Sequence, residues 1–219
     1  MTGGGFRYGA VLLLTLVTAT FTLVAPDGPA ARGTGLILAG IALLAAMLTS
    51  GARPNVRRAT VVVVGAATVL AAGAGIAGAP PGVLALSATA VVNAATIAVI
   101  LGGLVRLVQE RGVGVQAVFG ALAVYLLVGL TFGFAIGAVA TGFNGDFFAQ
   151  GTDGTRSLRL YFSYVTLATL GYGDYTPAGD LGHTLAIVEA LFGQLYLVTV
   201  LALLVSRLQG RRAGRDTDS

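Results

Sequence analysis

The sequence contains no cysteine, no lysine and only one histidine, His183. Without cysteine the chain forms neither disulfide bonds nor thiolate metal sites, and a single histidine leaves too few ligands for a zinc centre. Charged residues make up only 10% of the 219 residues, whereas hydrophobic residues make up 56%. Because a water-exposed globular surface carries more charge than this, most of the chain is expected to face lipid.

All thirteen basic residues are arginines, and they lie between apolar runs. A nucleic-acid-binding protein concentrates its basic residues on one continuous face, so this distribution predicts no nucleic-acid partner. The positive charges are expected instead to reflect the orientation of membrane segments.

Six apolar runs predict six membrane-spanning helices and an all-α fold in a lipid bilayer. Each run has close to the ~20 residues that a helix needs to cross a hydrocarbon core. Breaks that contain proline or glycine end the first three runs. The runs cover residues 8–24, 33–50, 59–77, 83–108, 113–141 and 181–208.

The arginines predict the orientation of these spans. If the N-terminus is inside, ten arginines are cytoplasmic and three, Arg32, Arg156 and Arg159, lie outside. Because basic residues concentrate on the cytoplasmic side, both termini are expected to be cytoplasmic. The short loops favour a multi-pass protein of a prokaryotic plasma membrane.

The connection between the fifth and sixth runs is different from the other loops. It begins with a polar, glycine-rich stretch and continues with an apolar segment at residues 157–170. This segment is too short to span a bilayer, so we expect a re-entrant helix. Non-helical backbone at that depth must line a water-filled cavity or be buried in protein.

Residues 161–174 read YFSYVTLATLGYGD. This segment resembles the pore loop of potassium channels, whose filter replaces the hydration shell of K⁺ with backbone carbonyl oxygens. The resemblance implies a selectivity filter at residues 169–174, with Asp174 at the outer mouth and K⁺ as permeant ion rather than cofactor. Gly171 and Gly173 would adopt backbone conformations that a Cβ atom disfavours. The implied K⁺ ligands are carbonyls of Thr169, Leu170, Gly171 and Tyr172, with the Thr169 hydroxyl.

The same resemblance implies a homotetramer, since one chain supplies only one strand of the ring of oxygens. Residues 112–208 would form the pore domain, with an outer helix, pore helix, filter and inner helix. Residues 1–111 would form a peripheral four-helix domain, and residues 209–219 a short cytoplasmic tail.

Further residues receive roles from the resemblance. Tyr161, Phe162 and Tyr164 would form, with Tyr172, an aromatic cuff around the filter. Gly193 lies twenty-two residues after Gly171, where potassium channels carry a hinge glycine, although a small residue also serves helix packing. The implied cavity-lining residues are Gln194, Leu197 and Leu201.

Glu189 is the only acidic residue deep within a predicted span. A carboxyl group in a membrane is costly enough to indicate a specific role. We expect Glu189 to support the filter by bonding Ser163, Thr166 or Tyr164 on the back of the pore helix. A gate coupled to protonation of Glu189 is the alternative.

Six spans with a pore between the last two is also the plan of voltage-gated potassium channels. One charge moving through the field contributes only ~2.3 kcal/mol per 100 mV, so voltage sensors carry several arginines in the fourth span. Here that span has only Arg106, which predicts weak or absent voltage dependence and leaves the gating stimulus open.

Four further arginines either contact anionic lipid or retain the tail in the cytoplasm: Arg207, Arg211, Arg212 and Arg215.

Three other functions compete with the potassium-selective pore. A nonselective cation channel and a non-conducting membrane scaffold would share its architecture. An intramembrane aspartyl protease would share the Gly-Tyr-Gly-Asp element, but it needs a second aspartate within the membrane. The remaining candidates lie in predicted outer loops, so no enzyme is expected: Asp27, Asp146, Asp153 and Asp180.

Overall fold

The computed structural model describes residues 8–26, 28–51, 54–55, 57–62, 64–66, 81–142 and 145–216. Among these residues the regular structure is helical, which confirms the all-helical prediction, and the only β-pairing consists of isolated bridges at Phe148. The described part of residues 54–66 is also helical. The other helices are α1 (Tyr8–Val24), α2 (Pro29–Thr49), α3 (Pro81–Arg111), α4 (Val115–Gly142), α5 (Arg156–Leu167) and α6 (Asp180–Asp216).

Three helices in the described part of the chain are long and apolar enough to cross a membrane. They are Gly82–Arg111, Val115–Gly142 and Asp180–Val200, and they identify a membrane protein. The helices Tyr8–Val24 and Thr34–Thr49 are apolar but shorter. Most of the predicted third span, 59–77, lies outside the described residues, so the number of six spans stays a prediction.

α3 and α4 pack side by side across a three-residue connection. Gly112 ends α3 with a left-handed φ of +72°, and its N–H donates to the carbonyl oxygen of Val108 at 3.0 Å. Glycine is favoured at this position because it has no Cβ to oppose positive φ. Tyr8 of α1 is fully buried and packs against Gly120 of α4, where the absence of a side chain permits close approach.

The first turn of α5 is fastened to α1 and α4. The Arg156 guanidinium donates to the carbonyl oxygen of Ala25 at 2.7 Å, and the Ser157 hydroxyl donates to that of Leu23 at 2.6 Å. Arg159 donates to a carbonyl oxygen of α4 at 3.1 Å. A cation suits the C-terminal end of α1, where unpaired carbonyls carry partial negative charge. These bonds fix the position of α5 within the bundle.

Candidate functional site

The segment after α5 has an alternating backbone. Thr169, Gly171 and Gly173 have φ of +56°, +53° and +78°, whereas Leu170 and Tyr172 have negative φ. Thr169 is the only non-glycine residue with positive φ in the described part of the chain. Alternation between right- and left-handed conformations turns successive N–H groups to one side of a segment and carbonyl groups to the other. The alternating sign of φ over residues 169–173 is the pattern that can turn their carbonyl groups to one side.

The carbonyl groups of this segment are not used in hydrogen bonds among the described residues. The N–H groups of Thr169 and Leu170 donate back to α5, to the carbonyl oxygens of Thr166 and Val165, both at 2.9 Å. Among hydrogen bonds between described residues, none is accepted by a carbonyl of residues 169–173. The segment is exposed on the single chain, with Tyr172 at 66%. The carbonyl oxygens of residues 169–173 are thus unpaired among the described residues.

The outer end of this segment is tied to α5 by a side-chain hydrogen bond. The Tyr161 hydroxyl donates to Asp174 Oδ2 at 2.7 Å, and Asp174 Oδ1 accepts the N–H of Tyr175 at 3.1 Å. The bond to Asp174 raises the pKa of Tyr161 to about 12. The phenol therefore remains a neutral donor at physiological pH.

The three aromatic residues of α5 that were predicted to surround the filter each contact a different neighbour. Tyr161 bonds Asp174, whereas the Tyr164 hydroxyl donates to the Leu126 carbonyl oxygen of α4 at 2.8 Å. Phe162 is buried and packs edge-to-face on Phe148 of the preceding loop, with ring centroids 5.3 Å apart. On the single chain the aromatic residues of α5 thus brace that helix on its surroundings.

Gly193 lies where α6 crosses the end of α5. A Cβ at this position would overlap the carbonyl oxygen of Leu167 and would lie 2.9 Å from the Cδ1 atom of Leu167. The absence of a side chain therefore permits the crossing, as the packing alternative requires. Gln194 and Leu197 are exposed on the single chain, and the side chain of Leu201 lies outside the described residues.

Glu189 is fully buried beneath α5. Of its three expected partners, the structure brings Ser163 to Glu189 Oε1 at 2.5 Å. The Ser163 hydroxyl also lies 2.7 Å from the Gly129 carbonyl oxygen of α4. A single serine therefore joins α5 to both α4 and α6.

Several residues that position the site were not singled out from the sequence. Gly129 and Gly133 of α4 admit the Tyr164 ring and the Leu160 side chain. Their four-residue spacing is a known signal of close helix packing in membranes. Arg156 is one of the three arginines predicted on the outer side, where basic residues are uncommon, but the sequence assigned it no partner.

A family model described as an ion channel matches residues 120–210. Over 70 residues the chain is 37% identical to the inward rectifier potassium channel Kirbac3.1 of Paramagnetospirillum magnetotacticum, which covers 32% of this chain and 24% of that protein. Over 46 residues it is 46% identical to the probable potassium channel protein 2 of Methanocaldococcus jannaschii, which covers 20% of this chain and 13% of that protein.

The chain thus spans about a quarter or less of the curated relatives that it matches. No solved structure matches it. The matched family and both relatives are ion channels, not enzymes. Residues 120–210 are therefore similar to an ion-channel family, and part of the chain is similar to one potassium channel and one probable potassium channel.

Proposed function

We propose that this chain is one subunit of a potassium-selective channel that conducts dehydrated K⁺ passively through residues 169–174. The alternating sign of φ in this segment carries the proposal, because it suits a row of carbonyl oxygens on one side, and these oxygens accept no hydrogen bond among the described residues. Leu170 does not alter this set, since its ligand is a backbone atom. The proposed K⁺ ligands are carbonyls of Thr169, Leu170, Gly171 and Tyr172, with the Thr169 hydroxyl.

A ring of ligands requires several copies of this segment, and we propose a homotetramer. The exposure of the filter segment supports a homotetramer. The exposure of α6 also supports it, because only 11% of the most apolar stretch of this helix is buried within the chain. In a closed four-fold arrangement the C-terminal ends of four α5 helices would each direct about half a negative charge toward the cavity. Gln194, Leu197 and Leu201 would line that cavity.

The proposal extends to the surrounding membrane domain. Residues 1–111 would form a peripheral four-helix domain, 112–208 the pore domain and 209–219 the tail, with both termini cytoplasmic. Arg106, the only arginine of α3 before its last residue, donates to the carbonyl oxygens of Gly51 at 2.7 Å and Ser50 at 3.1 Å. A single anchored arginine supports weak voltage dependence, so open probability should change little over a range of about 100 mV.

Flux measurements in liposomes test the function. Purified protein should release K⁺ down a gradient, with block by Ba²⁺ and with much smaller flux under a matched Na⁺ gradient. Equal K⁺ and Na⁺ fluxes would identify a nonselective cation channel instead. Absence of both fluxes in every condition would favour a non-conducting scaffold.

The Tyr161→Phe substitution tests the side-chain hydrogen bond that joins the proposed filter to α5. It removes the hydroxyl that bonds Asp174 at 2.7 Å and keeps the ring, so the segment loses its side-chain link to α5. We expect several-fold lower K⁺ flux in the liposome assay. Tyr175→Phe is the matched control, because no hydrogen bond among the described residues joins the Tyr175 hydroxyl to residues 169–174. Equal flux from the two variants would contradict this role of Tyr161.

A further inference from the structure

The junction between α4, α5 and α6 contains a carboxyl group that ion conduction does not use. Glu189 is fully enclosed by its own chain, with 0% of its surface exposed. Its Oε1 lies 2.5 Å from the Ser163 Oγ, and its buried Oε2 has no hydrogen-bond partner among the described residues. Ser163 Oγ in turn lies 2.7 Å from the Gly129 carbonyl oxygen.

Counting hydrogens at Ser163 decides the state of the carboxyl group. A serine hydroxyl has one hydrogen to donate and two lone pairs to accept. If Glu189 were ionised, Ser163 would face two oxygens that only accept, and one of the two close contacts would have no hydrogen. If Glu189 carries a proton, it donates to Ser163, and Ser163 donates to Gly129. Only the protonated carboxyl satisfies both contacts.

The surroundings of Glu189 favour the same state. No arginine among the described residues forms an ion pair with it. The titratable groups that face it are Tyr164 of α5 and Tyr125 of α4, whose hydroxyls donate to backbone carbonyls. Tyr196 of α6 likewise donates to a carbonyl of α4. A buried carboxylate without a cation or a second donor would be strongly destabilised, whereas a neutral acid tolerates an unpaired Oε2.

We propose that Glu189 is a proton-binding site whose proton joins α6 to the pore helix α5 and, through Ser163, to α4. The Ser163 hydroxyl has one hydrogen but lies close to two oxygens. The proton on Glu189 supplies the second hydrogen that a link between three helices needs. When Oε1 releases it, either the α5–α6 or the α4–α5 bond is lost. The expected effect on conduction rests on the proposed function, whereas the proton site does not.

Infrared spectroscopy of the full chain in a detergent without ester groups tests the site directly, because phospholipid ester carbonyls absorb where a protonated acid does. At neutral pH, solvent-exposed carboxyl groups are ionised, so a carbonyl stretch of a protonated acid reports an enclosed one. We expect this band in the wild-type protein and in Glu110→Gln, which alters the other glutamate, an exposed one. Glu189→Gln should remove the band, because glutamine has no carboxylic acid. The glutamine amide can still donate to Ser163 in place of the acid. Absence of the band from the wild-type protein at neutral pH would overturn the proposal, and this outcome needs no variant to fold.

The pH dependence of K⁺ flux tests the consequence. Wild-type flux should fall several-fold as alkaline pH removes the infrared band, while Glu189→Gln should give a flat profile over the same range. Parallel pH profiles of wild type and Glu189→Gln would overturn the link between the proton and conduction. A protonated-acid band without any flux would leave the proton site standing and contradict the proposed channel function.

Discussion

Replacing Gly173 with alanine is expected to abolish K⁺ flux. Gly173 has φ of +78°, and a Cβ at such a backbone costs about 1–2 kcal/mol for each residue. In the proposed tetramer the substitution occurs four times around one axis. The segment relieves the strain by moving Gly173 toward negative φ, which breaks the alternation and turns carbonyl groups out of the row. Flux of K⁺ into liposomes measures the loss.

Gly151→Ala is the matched control for this substitution. Gly151 has a similar φ of +73°, and a Cβ there would meet only Asp146 Oδ2 at 3.9 Å. The backbone strain is therefore comparable, but the residue lies in the loop before α5 and supplies no carbonyl to the filter. Gly151→Ala should retain K⁺ flux. If Gly173→Ala conducts as well as this control, residues 169–173 are not the filter.

The second large effect is expected from Gly193→Ala. The added Cβ would overlap the Leu167 carbonyl oxygen, a backbone atom at the end of α5 that cannot move without displacing the filter segment. Overpacking of this kind typically costs 1–3 kcal/mol. We expect lower thermal stability of the purified protein together with strongly reduced K⁺ flux.

Gly102→Ala separates packing from general effects of a helical glycine. A Cβ at Gly102 of α3 would meet no atom within 4 Å, and alanine favours helix by up to about 1 kcal/mol over glycine. This variant should be as stable as the wild type or slightly more so. If Gly193→Ala matches its stability and alters only channel opening, Gly193 acts as a hinge rather than as a packing residue.

The sequence was sufficient to locate the helix that precedes the proposed filter. The apolar segment 157–170 corresponds to α5 at Arg156–Leu167, and the sixth apolar run, from residue 181, corresponds to α6 from Asp180. Positive φ at Gly171 and Gly173 follows from residue type, because glycine lacks the Cβ that opposes it. Thr169 has the same sign of φ despite a β-branched side chain, so its conformation is imposed by the neighbouring residues and could not be predicted locally.

Contacts between distant parts of the chain were not predictable in the same way. Arg156 and Ser157 bond carbonyls 131 and 134 residues earlier, and no local pattern specifies such a partner. Glu189 was different, because a carboxyl group in an apolar helix requires a polar neighbour. The candidates on α5 were few, and the hydrogen-bond geometry selects Ser163 among them.

The attachment of α5 to α1 limits how this protein can be dissected. The match to the ion-channel family begins at residue 120, which suggests a module that could be excised or transplanted. The acceptors of Arg156 and Ser157, however, are carbonyls at the end of α1. A truncated module would keep both donors and lose both acceptors. A chimera joined at residue 120 would therefore divide the contacts that join α5 to the first helix.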